Sequence, residues 1–454
     1  MVGGMSGRAQ DALIRLLLIP LAVLEVTCQL IVKAPQHPPN IVVILIDTLR
    51  PDYLGFYGYE KEMAPFLAEL ARNSVVFERA FSTSSWTAPS TSSLFTSLYP
   101  NQHGVIEGFL MHRVRSKRQE SEGKETIELN RLPSEVATLP EEFKSMGYAT
   151  YGLATNVNIG DEMGFSRGFD RFEREAEADA SFVLERVKEW REEIRQSSPF
   201  FLYLHLNDVH LPYHKRLPYY QEQKGKLNDR RARYLSELAY ADEHIRKIYE
   251  TLDLGKDTIL VALSNHGEEF RDHGGLAHRA KLYVELNRVL MMFHAPFLGL
   301  DPQRVAMNVS LIDVLPTLME LAGGERMNGW EGVSLVPVLR AGEETEDLVE
   351  TLRRRTLFAH RINREEAQGP LWAAILRHWK LIEGSDGRRE LYNHRRDPTE
   401  RRDLYSPHAD GIPVKLVEAL QEFKERELAG KPDTVEIEVD PELEETLRSL
   451  GYVN

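Results

Sequence analysis

Cysteine is almost missing: the 454-residue chain has one, Cys28, close to its N-terminus. Neither a disulfide framework nor a thiolate metal site can form within the chain. Positive charge is also scarce, with 56 Lys and Arg against 70 Asp and Glu and a formal net charge of −14. A general nucleic-acid partner is therefore not expected, and an anionic ligand must meet local cations or a metal. No internal repeat or long low-complexity tract is visible. The apolar stretch Leu16 to Leu24 is shorter than the roughly 20 residues that span a bilayer. Extended to Val32 it is long enough, but Glu25 and Gln29 then fall inside it. Following Arg8 and Arg15, it fits an export signal or a marginal anchor, with a peripheral amphipathic helix as the alternative. Residues 1–35 are read as this segment and its linker, which predicts an exported or membrane-associated protein with a membrane tether.

What remains is ordinary for an enzyme: 42% hydrophobic and 28% charged residues, enough chain for one large α/β core and a smaller appendage. Short apolar runs recur at 40–46, 149–154, 199–204 and 258–263, separated by helical patterns such as 180–196 and 231–252. That alternation predicts an α/β fold with a mainly parallel central sheet flanked by helices. The predicted catalytic domain is 36–345. Residues 346–454 read as a small C-terminal α+β subdomain, with an antiparallel hairpin near 372–392 and a helix from about 414 to 428. Ligands of such sheets sit beyond the carboxyl ends of the strands. Asp47, His210, Asn265 and His266 all follow such ends. Thr87 belongs to Ser85-Trp86-Thr87-Ala88-Pro89-Ser90-Thr91, a turn into a short helix on which Ser90 is the expected cap. The polar stretch 110–133, opening with His112, Arg113, Arg115, Lys117 and Arg118, reads as a surface excursion.

One carboxylate (Asp47), one imidazole (His266), the amide oxygen of Asn265 and the Thr87 hydroxyl could share one divalent metal. A threonine hydroxyl is a poor nucleophile unless a metal or base activates it. His210 and His278 could then hold ester oxygens or protonate the leaving group. His273, between His266 and His278, adds to the histidine density.

Several ordered motifs resemble the sulfatase family of the alkaline-phosphatase superfamily. Pro39 to Asp47 is similar to its first metal-bearing strand, and Thr87-Ala88-Pro89-Ser90-Thr91 to its Cys/Ser-x-Pro-Ser-Arg motif. His210-Leu211-Pro212, Ser264-Asn265-His266-Gly267-Glu268, His278, Ser310 to Thr317 and Trp379 to Ile382 follow in the family's order. The resemblance spans roughly residues 38 to 405 and implies a metal-dependent hydrolase of sulfuric or phosphoric esters. It places Thr87 where family members carry formylglycine. That aldehyde's hydrate has two hydroxyls, one to attack sulfur and one to expel sulfate; threonine has one. Related phosphodiesterases and phosphoryl transferases use threonine there, so a phosphoryl or head-group transferase is the alternative, and an inactive sulfatase-fold binding protein is another. Thr91 replaces the motif's arginine, and no lysine stands in Gly152 to Asn156. Thr48 and Asn265 replace frequent aspartates, which tilts the expected single divalent ion from calcium or magnesium towards zinc or manganese.

Overall fold

The computed structural model describes residues 37–106, 108–109, 126–176, 178–278, 281–340, 346–361, 369–408, 411–426, 434–438 and 445. The N-terminal apolar segment, Cys28 and the basic residues 112–118 lie outside them. From Pro39 onward the chain forms one compact unit. No helix of the described residues is long and apolar enough to cross a membrane.

A nine-stranded sheet organises this unit. Its centre runs, in spatial order, Thr258–Leu263, Asn40–Ile46, Phe200–Leu206, Ala149–Ala154 and Arg171–Arg174, all parallel. Met291–His294 extends it antiparallel from Thr258–Leu263, and Val75–Phe81 follows, flanked by Gln303–Ser310 and the short Arg288–Val289. The first strand shows why its apolar run is unbroken. Ile41, Val43 and Leu45 enter the core on one face, while Val42, Ile44 and Ile46 enter the core on the other. Strands buried on both faces need apolar side chains at every position. One face is covered by helices that include Thr87–Thr96, Leu139–Ser145 and Val314–Leu321. Pro65–Ala71, Ala180–Gln196 and Lys226–Leu252 cover the other.

The C-terminal part holds more strand than the expected hairpin. Leu357–Arg361, Leu371–Leu376, Trp379–Gly384 and Arg389–Asn393 form a four-stranded antiparallel meander. The run 372–382 folds back at Arg377-His378, where Arg377 takes a positive φ of 54°. Helix Ile412–Glu425 packs on this sheet through Leu416, Leu420 and Phe423. Thr434–Glu438 pairs antiparallel with Thr126–Asn130, so part of the expected surface excursion is a strand.

Candidate active site

Four neighbouring strands end at one rim of the sheet. Asp47 follows Ile46, Asn156 follows the strand ending at Ala154, Asn207 and His210 follow Leu206, and Asn265 and His266 follow Leu263. Parallel register places these ends side by side: Leu45 lies opposite both His205 and Leu263. The helix Thr87–Thr96 delivers the last component. It begins at Thr87 itself, with Trp86 at the cap position and no side-chain cap. Ser90 is thus not the expected cap; it lies inside the first turn, and its hydroxyl donates back to the Trp86 carbonyl at 2.5 Å. Every residue of this helix is buried.

Thr87 Oγ1 lies 3.2 and 3.4 Å from the two carboxylate oxygens of Asp47 and 3.1 Å from His266 Nε2. His266 Nδ1 donates to the Gly267 carbonyl at 2.9 Å, so Nε2 carries the lone pair that faces the hydroxyl. Asn156 Nδ2 donates to Asp47 Oδ2 at 3.0 Å and to Asn207 Oδ1 at 2.9 Å. Asp47 and His266 are fully buried. Burial alone would raise the Asp47 carboxyl, but the surrounding His205, His266 and His210 outweigh it and hold it well below the usual carboxylate range. Burial, and next the adjacent His278, push the His266 imidazole down to about 3. At neutral pH the centre is an ionised carboxylate, a neutral imidazole and an alcohol.

His210 and His278 flank this centre. The His278 ring centroid is 4.6 Å from that of His266 and 4.9 Å from that of His210. His210 Nδ1 donates to the Leu211 carbonyl at 2.7 Å, and its buried Nε2 has no protein partner. His278 Nδ1 lies 3.1 Å from Glu268 Oε1, and the Tyr213 hydroxyl donates to Oε2 of the same carboxylate at 2.6 Å. Burial raises Glu268 to about 7. Asn265, which precedes His266, turns its amide oxygen to the backbone: it accepts the N–H groups of Thr48 and His266, at 3.2 and 2.9 Å, and its buried Nδ2 has no hydrogen-bond partner. His273 leaves the cluster altogether: it bonds Glu285 Oε1 and the Glu400 carbonyl, both at 2.7 Å, in the contact with the C-terminal sheet.

Sequence reasoning missed His205 and Asn156. His205 is fully buried with its Nε2 3.3 Å from Asp47 Oδ2, and neither ring nitrogen makes a hydrogen bond. A polar residue near the end of the run Phe200-Phe201-Leu202-Tyr203-Leu204-His205-Leu206 was the available signal. Arg361 was missed as well: its guanidinium carbon lies 4.7 Å from the ring centroid of Trp86, next to Thr87. Among the described residues, no three His, Cys, Asp or Glu side chains form a group able to hold a metal by themselves. A cation at this rim would draw on Asp47, His266 and the Thr87 hydroxyl. Those three fit one. Their atoms are 3.1 to 3.4 Å apart. Ligands about 2.0–2.1 Å from a tetrahedral ion are separated by about that much. The imidazole is also locked by its other nitrogen, as metal-bound histidines are.

Comparison with known proteins agrees with this architecture. Residues 39–324 match the family model described as Sulfatase. The Delta 4,5-hexuronate-2-O-sulfatase of Bacteroides thetaiotaomicron is 23% identical over 438 residues, covering 81% of this chain and 85% of that protein. Arylsulfatase J of Mus musculus is 24% identical over 491 residues, covering 86% of this chain and 76% of its own. Among solved structures, a phosphonate monoester hydrolase of Agrobacterium radiobacter superposes with a TM-score of 0.69 at 18% identity, covering 89% of this chain and all of that one. The chain belongs to the sulfatase family, as a sulfatase-like ester hydrolase.

Proposed function

We propose that Thr87 is the nucleophile of a metal-dependent ester hydrolase that acts on phosphate-type esters in preference to sulfate esters. The observation that carries this reading is the 3.1–3.4 Å clustering of Thr87 Oγ1, the Asp47 carboxylate and His266 Nε2. Asp47 and His266 would hold one divalent ion, zinc or manganese rather than calcium or magnesium, because the set mixes imidazole with one carboxylate. Such an ion, when bound, lowers the pKa of the threonine hydroxyl and offsets charge on the ester. Thr87 Oγ gives up its proton and attacks phosphorus, the bond to the ester oxygen breaks, and His210 or His278 relays a proton to the departing alkoxide. Water then attacks phosphorus, one of its protons restoring the Thr87 hydroxyl as the threonine oxygen leaves. A sulfated threonine lacks the second hydroxyl that would expel sulfate, which is why phosphoryl chemistry is favoured. Arg361 beside Trp86 brings one cation towards an otherwise acidic chain. The exported or membrane-tethered location remains part of this proposal, on the strength of the basic start and apolar segment alone.

The test is metal content of the purified protein, followed by turnover of an aryl sulfate, a phosphomonoester and a phosphodiester with each metal. Phosphate-ester turnover that disappears on chelation and in Thr87→Ala is expected. Turnover that survives Thr87→Ala would assign the attack to water and remove the role given to Thr87. Product appearing on an added alcohol instead of on water would identify a transferase.

A further inference from the structure

Beside His210 lies a cavity of about 300 Å³ whose wall includes Asn207, Asp208, Asp179 and Arg216. It adjoins the centre directly, because Asn207 accepts from the same Asn156 amide that binds Asp47. Its charge is unusual for a site next to an anionic ester. Asp179 caps the helix Ala180–Gln196, accepting from the Ser181 N–H at 3.0 Å and the Ser181 hydroxyl at 2.6 Å. Its other oxygen takes Arg216 Nη1 at 2.7 Å and the Tyr240 hydroxyl at 3.3 Å. Arg216 Nε binds Glu237 at 2.6 Å, so the one guanidinium in this group is committed to two carboxylates. A third carboxyl, Asp208, is left over.

Asp208 is only 5% exposed. Its Oδ1 accepts from the Ala180 N–H at 3.1 Å, and its buried Oδ2 has no hydrogen-bond partner. Burial, with Glu237 and Asp179 nearby, pushes this carboxyl up to about 7. His210 Nε2, on the same wall and 94% buried as a residue, is a second polar atom without a protein partner. Buried polar atoms are ordinarily paired, so two without hydrogen-bond partners on residues of one cavity wall mark a place for a ligand. An acid-rich pocket that has spent its arginine repels a carboxylate and attracts an ammonium, whose positive charge opposes the effect of burial and favours the ionised form of Asp208.

We propose that this cavity receives the alcohol part of the ester and selects an alcohol bearing an ammonium group, with Asp208 Oδ2 as the anionic partner. The inference rests on the reading of Thr87 as the reacting centre for its catalytic consequence, but not for the binding itself. Two measurements keep these apart. Calorimetric titration of wild type with ethanolamine and with glycolate needs no chemistry. Ethanolamine is expected to bind at least about tenfold more tightly than glycolate, and Asp208→Asn to lose most of that difference. The kinetic arm compares kcat/KM for 2-aminoethyl and carboxymethyl esters of phosphate and sulfate. The 2-aminoethyl ester is expected to lead by at least about tenfold, and Asp208→Asn to erase the lead through KM more than kcat. Equal binding of the two alcohols by wild type, or a preference that Asp208→Asn leaves intact, overturns the proposal. Ethanolamine binding that depends on Asp208 without turnover of any ester would sink the hydrolase reading and leave the pocket standing. If Asp208→Asn does not fold, the wild-type comparison of the two alcohols still decides.

Discussion

Thr87 differs from the other hydroxyls of its helix in what surrounds it, not in its own chemistry. Thr91, Ser92 and Ser93 are equally buried, yet none has an ionised carboxylate and an imidazole lone pair within 3.4 Å. That contrast gives a specific expectation. Thr87→Val keeps the shape and removes the hydroxyl, so folding should persist while phosphate-ester turnover drops by at least about a thousandfold. Thr87→Ser should recover most of that loss, as read by initial rates at saturating metal. If both variants are equally impaired, the hydroxyl is not what matters. The sequence showed Asp47, Thr87 and His266 because each terminates a recognisable run or sits in a distinctive turn. It could not show His205, since one polar residue inside an apolar strand looks the same whether it faces a helix or the site. The engaged oxygen of Asn265 was equally hidden: which amide atom is engaged depends on backbone N–H groups from two separate loops.

At the level of elements, strands and long helices were legible and their partners were not. The helix Ala180–Gln196 and the strand Ala149–Ala154 coincide with the expected bounds. Burial on both faces imposes continuous apolar runs, and a half-buried helix imposes a 3.6-residue period, and both leave clear traces in sequence. The pairing of Thr434–Glu438 with Thr126–Asn130 was less legible: both segments alternate polar and apolar residues, as strands do, but alternation over five residues does not name a distant partner. The loop that carries His266 also depends on a remote segment. Gly267 donates to the Leu286 carbonyl at 2.9 Å, and a Cβ on Gly267 would lie 2.0 Å from the Glu285 carbonyl oxygen. Backbone cannot yield there as a flexible side chain would. Gly267→Ala is therefore expected to destabilise the fold by about 1–3 kcal/mol in urea unfolding. Because the Gly267 carbonyl fixes the His266 ring, metal retention on dialysis should also fall, by roughly 10–100-fold in affinity. Unchanged stability and metal retention in this variant would mean the loop is not held as tightly as its contacts indicate.

Across the whole molecule, one buried carboxylate ties the C-terminal meander to the segment leading away from the active site. Glu400, held at a positive φ of 53°, accepts from the Val284 N–H at 2.8 Å and binds His394 Nε2 at 2.6 Å. Lys380 Nζ, fully buried, lies 3.2 Å from the same carboxylate and also donates to the Leu282 carbonyl. Burial alone would raise this carboxyl, but Lys380 and His394 win and hold it at about 2, below its ordinary 4.5. A folded pKa below the unfolded one means stability that is present above about pH 4.5 and is lost as pH falls towards 2. At about 1.4 kcal/mol per unit, that loss is about 3 kcal/mol. In Glu400→Gln the Lys380 ammonium stays buried without its counter-charge, so the variant should lose about 3–5 kcal/mol at neutral pH. Denaturant titrations of both proteins between pH 7 and pH 2 isolate the effect, since the other acids are common to both. The gap between them should narrow by about 3 kcal/mol as pH drops below 4.5. A gap that stays constant with pH would show that Glu400 is not ionised in the folded protein, and that the meander is held by its apolar contacts through Tyr99 and Phe358 instead.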